Sequence, residues 1–210
     1  MLPEMDQRLQ SAAEDFEQVM IDVHRDERGV HINTVLSTVC AILAEAMLRA
    51  SMPHEQLYGD RGIMYCKEAE HIFWGAEDGN VLDYVAFTGN EVGMTPERMP
   101  DIDEIYRHTG AAIGKSEIPA LSIPDDQRPH FWSMAGAAFT RPQVLDIYQR
   151  FGLKPLEEVL VCTLVMCRLL NATHNVLDPV LAFRLALETV VGCLRLHPIE
   201  MKDLEKMAKQ

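Results

Sequence analysis

The sequence predicts a mainly α, bundle-like domain with an irregular middle segment that includes a small β-hairpin. Two observations carry that reading. Apolar residues recur at helical intervals over the first fifty and the last sixty positions. Between them, glycines, prolines and short aromatic runs break the period. With 210 residues, 48% hydrophobic and 24% charged, the chain suits one domain, and a chain this long buries roughly 70% of its extended surface. It divides into an N-terminal helical hairpin (1–52), an irregular middle (53–130) and C-terminal core helices (131–210).

The first helix is written most clearly. Leu2, Met5, Leu9, Ala12, Phe16, Val19 and Val23 alternate spacings of three and four, which is a heptad seam. Acids such as Glu14, Asp15 and Glu17 fill its other faces. Arg28-Gly29 is the expected stop, glycine supplying a left-handed cap. A second helix is expected from Ile32 to Ser51. Its stripe of Ile32, Leu36, Val39, Leu43, Met47 and Ala50 is widened by Val35, Ile42 and Ala46, which implies deep burial. Pro53 stops it.

Residues 55–74 read as a helix broken near Gly59 and Gly62. The runs His71–Trp74 and Val81–Phe87 flank Glu77-Asp-Gly-Asn80. Asp-Gly between apolar runs signals a hairpin. Asp101 to His108 reads as a short helix, followed by an irregular stretch with Pro119, Pro124 and Pro129. Helices are expected at 141–150, 155–175, 179–196 and 198–208. Pro142, Pro155 and the Asp178-Pro179 pair supply first-turn prolines and a cap.

Charge narrows the partners. Net charge is −13; residues 1–152 hold 25 acids against 12 bases, whereas residues 153–210 hold seven of each. Such a surface repels phosphate backbones and anionic membranes. Residues 1–20 lack the continuous apolar core of a secretory signal. The apolar runs near 159–167 and 180–193 are cut by charges before the roughly 20 residues a bilayer needs. The five cysteines have no CxxC spacing, and four lie in apolar stretches, so they read as reduced core residues. A cytoplasmic protein is expected.

No catalytic constellation is visible. Gly110-Ala-Ala-Ile-Gly114-Lys115-Ser116 has three residues between its glycines where a P-loop has four, and prolines follow it. Glu68-x-x-His71 is single, while two-metal bundles use the motif twice. None of the eight histidines lies four residues from another. Gly-x-Ser-x-Gly is absent. No metal or cofactor is expected.

The expectation is therefore a non-catalytic interaction or regulatory module whose partner is another protein or, in a homodimer, itself. Leu9, Phe16 and Val23 would form the interface if the seam packs between chains rather than within one. The alternative is a small-molecule binder or enzyme with its site in the middle segment, lined by Arg61, Glu68, His71, Trp74 and Trp132. Both tryptophans of the chain fall there, and pockets combine apolar walls with a few polar groups.

Overall fold

Helix α1 (Gln7–Val23) opens the fold, and the acid before it starts it: the Asp6 carboxylate accepts from the Arg8 N–H at 2.9 Å. The computed structural model describes residues 6–59, 62–75, 79–113 and 119–207. Leu9, Ala12 and Phe16 of the seam are buried, as is Met20 beside it, while Val19 and Val23 are half-buried; Leu2 and Met5 lie outside the described residues. The seam thus packs within the chain, against α7 (Ser133–Arg150) and α8 (Pro155–Thr173). Phe16 meets Tyr148 edge-on. Arg8 bonds the carbonyls of Phe151 (3.0 Å) and Gly152 (3.3 Å) and pairs with Glu157 at 2.5 Å.

Helix α1 ends at Val23 and not at Arg28-Gly29. Strands β1 (Arg25–Asp26) and β2 (Gly29–Val30) pair there as the fold's small hairpin. The Asp26 carboxylate accepts from the Arg28 N–H at 2.7 Å, and Gly29 takes φ 111°. Side-chain turn chemistry and a positive φ select a hairpin over a helix cap.

The hairpin expected across residues 71–87 is corrected. His71–Trp74 closes α4 (Lys67–Trp74), and Val81–Phe87 opens α5 (Val81–Glu91). The Asn80 side chain accepts from the Asp83 N–H at 3.1 Å. That N-cap satisfies a backbone donor which only a helix leaves free, and it overrides the Asp-Gly turn signal. Glu77 and Asp78 lie outside the described residues.

Helix α2 (Ile32–Ser51) is the axis of the molecule. Residues 33–48 are buried without interruption, against α7, α8 and α9 (Pro179–Cys193). Among the described residues it is the one helix long and apolar enough to cross a bilayer, and 89% of that stretch is buried within the protein. Core helices pass the same test of length and composition. Short helix α3 (His54–Gly59) follows Pro53, and α6 (Ile102–Ala112) packs on α9. The carboxylate of Asp101 caps α6.

Helix α7 starts at Ser133, eight residues before the expected start, and runs through Pro142. The small residues before the proline explain this. A Cβ on Gly136 would stand 2.5 Å from Thr38 Oγ1, so the backbones of α2 and α7 approach closely there. Packing of that face holds the turn ahead of a residue that lacks its N–H donor. Helices α8 and α9 start as expected. Helix α9 stops at Cys193 because residues 195–197 join residues 62–64: Met64 N–H donates to the Arg195 carbonyl at 2.8 Å. Helix α10 (Met201–Met207) closes the described chain. One hydrophobic cluster links Leu9 to Leu194.

Candidate interaction surface

The same junction builds an exposed aromatic face. Residues 62–66 are tied to residues 195–197, which places Tyr65 against the Arg195 guanidinium, 5.2 Å from its ring centroid. Tyr106 of α6 faces Arg195 from another side at 5.4 Å. The Glu70 carboxylate of α4 pairs with the same guanidinium at 2.5 Å. Arg195 is therefore held by two π faces and one anion. Trp74, the last residue of α4, leans on Tyr106 with centroids 6.1 Å apart and planes at 59°. Glu70 and Trp74 lie four apart and share one face of α4.

This cluster is only half in the protein. Tyr65 is 65% exposed, Trp74 51% and the neighbouring Ile63 56%, while Glu70 is buried beneath them. Tyrosine and tryptophan left this open supply rigid contact area at small entropic cost. Glu70 raises the Tyr65 pKa, and burial followed by Glu70 raises that of Tyr106, so both hydroxyls stay protonated and both rings stay neutral.

The residues expected to line a pocket are partly brought together. Glu68 and His71 are exposed on α4 and line an open groove of about 410 Å³ with Ala50, Ser51, Lys67 and Ile72. Trp74 stands on α4 beside the aromatic cluster. Trp132 does not join them. It caps the start of α7 beside Phe131 and His130, whose contacts are with His24 and His31. The groove sits at the far end of α2, a distance of roughly 25 Å along the helix axis. Arg61 lies outside the described residues, as do Gly114, Lys115 and Ser116. Trp74 is exposed, and Trp132 is half-buried against the core. Leu9 and Phe16 are in the core, and Val23 is partly covered.

A second polar assembly is internal. Arg141 grips Glu45 with two bonds, Nε to Oε1 at 2.6 Å and Nη2 to Oε2 at 2.8 Å. The Tyr58 hydroxyl donates to the same Glu45 at 2.6 Å. Arg49 pairs with Glu158 and lies over the Tyr148 ring, whose hydroxyl is 2.9 Å from Cys162 Sγ. Two small cavities flank the Arg141–Glu45 pair, each with room for about one water. Such a site is too small for a substrate. Among the described residues no three His, Cys, Asp or Glu side chains gather to hold a metal.

Sequence reasoning missed Tyr65, Glu70, Tyr106 and Arg195. They come from separate segments, and no spacing rule joins them. Comparison with protein-family models, with curated proteins and with solved structures found no match.

Proposed function

We propose that this protein is a non-catalytic interaction module that docks a protein partner through the face made by Ile63, Tyr65 and Trp74. The observation that carries the reading is the exposure of Tyr65 and Trp74 over a buried Glu70–Arg195 pair. Loose surface aromatics pay entropy on binding; these stand on a scaffold that is already ordered, and preorganised anchors are what hot spots require. The internal ion pairs fit a structural role better than a chemical one, because each is closed by its partner. Five free cysteines, four of them buried, support the cytoplasm as its compartment. One hydrophobic cluster spanning α1 to α9 supports a single domain.

The test is native mass spectrometry on protein purified from its own host, beside Tyr65→Ser/Trp74→Ala. The expected result is a stoichiometric partner, or a doubled mass for a homodimer, lost in the variant while its circular dichroism and melting are unchanged. An identical set of complexes in both proteins defeats the reading. The open groove lined by Lys67, Glu68 and His71 favours a second reading, a small-molecule site. A low-mass adduct retained by the wild type and lost in His71→Ala would support it.

A further inference from the structure

Charge decides what kind of partner this face takes. We propose that the Tyr65–Trp74 face docks a basic segment of a protein partner, with an arginine or lysine head seated on the open face of the Trp74 indole. This rests on the interaction-module reading above and names the partner's chemistry.

Three observations converge on it. First, the molecule contains a worked instance of the recognition: the guanidinium of Arg195 is already taken by two tyrosine rings and a carboxylate, at 5.2, 5.4 and 2.5 Å. Trp74 extends that aromatic wall outward, and among the described residues no cation lies over its ring. Indole is the strongest cation acceptor of the aromatic side chains. Second, the part of the chain that builds this face is strongly acidic. Residues 55–104 carry 12 acids against three bases. Its exposed acids include Glu68 on α4 and Asp103 and Glu104 on α6, although Glu104 is shared with Arg184. That excess draws cations toward the surface within a Debye length of about 8–10 Å. Third, Trp74 ends its helix. The carbonyls of a last turn favour positive charge, and here that of His71 already accepts from the Gly75 N–H at 2.8 Å.

Among the local cations, Arg107 follows Tyr106 on α6 and is exposed. Arg195 is neutralised by Glu70, and Lys67 lies seven residues before Trp74, at the other end of α4. A phosphate-bearing or acidic partner would meet four times as many acids as bases along residues 55–104.

The experiment is a nuclear magnetic resonance titration of the full chain, following the backbone amide signals and the two indole N–H signals, the latter assigned with Trp74→Phe. The probes are short glycine–serine peptides carrying paired arginines, paired citrullines or paired glutamates. Citrulline keeps the shape of arginine and removes its charge. The arginine peptide should shift the Trp74 signal and leave that of Trp132 in place. Its affinity should fall about tenfold in Trp74→Ala and should weaken as salt is raised. Equal shifts from citrulline and arginine, or arginine binding retained in Trp74→Ala, overturn the proposal. If the glutamate or citrulline peptide alone moves Trp74, the face docks a partner and only its charge class was misjudged. If no peptide moves it and Tyr65→Ser/Trp74→Ala also leaves the native complexes intact, both readings fall.

Discussion

The imidazoles of His31 and His130 stack with their centroids 3.5 Å apart and their planes 19° from parallel. Thr34 Oγ1 accepts from the His130 backbone N–H at 3.0 Å and lies 2.7 Å from His31 Nδ1. Nearby, His24 stacks on Phe131 with centroids 5.5 Å apart. This corner fastens the segment before α7 to the hairpin and the start of α2. Burial lowers the pKa of His31, the neighbouring His130 lowers it further, and Asp26 works the other way. Burial also lowers that of His24.

A histidine depressed in the fold binds fewer protons there than in the unfolded chain. Its stabilising effect is complete above the ordinary value of 6.5 and is lost as pH falls from there through the folded value. The urea midpoint should therefore drop between about pH 7.5 and about pH 5.5, and His130→Ala should flatten the drop. A midpoint constant over that window would count against the stack as a titrating unit.

The Arg141–Glu45–Tyr58 assembly makes a sharper prediction. Glu45 is 7% exposed. Glu45→Ala would leave a guanidinium and a phenol in the core without their acceptor. Removing one member of a buried pair costs about 3–5 kcal/mol, which equilibrium unfolding in urea would register. Glu45→Leu combined with Arg141→Met should recover much of that loss, since the apolar pair leaves no charge stranded.

The thiols should be silent in the native state. Burial pushes Cys162 up to about 12 and Cys167 up to about 11, and holds Cys40 and Cys193 well above the usual thiol range. Thiolate is the reactive form. A colorimetric thiol reagent at mildly alkaline pH should label these four slowly, at the rate of unfolding, and all five cysteines at once in denaturant. Fast labelling of Cys162 in the folded protein would contradict its place beside Tyr148.

Gly136 marks the closest approach of α2 and α7. An added methyl would meet Thr38 Oγ1 at 2.5 Å and Phe131 Cε2 at 2.7 Å. Gly136→Ala gains about 1 kcal/mol of helix propensity. Overpacking costs about 1–3 kcal/mol, and Thr38 is itself fully buried, so the net change should be destabilising. Thermal melting of Gly136→Ala beside Gly136→Ser would show it; a raised melting temperature would mean that the contact yields.

The elements that were legible in the sequence are those whose cause is local. The α1 seam, the Asp178-Pro179 start of α9 and the Pro155 start of α8 are each decided within a few residues. Misread boundaries have distant causes. Pro142 suggests a start, yet α7 is held from Ser133 by contacts with Thr38, a hundred positions away. Helix α9 stops at Cys193 because Arg195 is claimed by Met64. The corner near Asn80 reads as a strand turn because an Asp-Gly turn signal and a helix cap compete there, and the Asn80 cap wins. Of the candidate surface, Trp74 was visible as an aromatic in irregular chain. Its setting was not, because Tyr65, Glu70, Tyr106 and Arg195 meet only after α4, α6 and the end of α9 have docked.

Arg8 has a consequence for synthesis. It reaches carbonyls and a carboxylate 143 to 149 residues further on, and the greasy side of its helix is roofed by segments equally late. On a ribosome adding about 5–20 residues per second, the opening rod waits roughly ten seconds with Leu9, Phe16 and Met20 uncovered. A nascent chain of this protein thus exposes that stripe until α7 and α8 have been made.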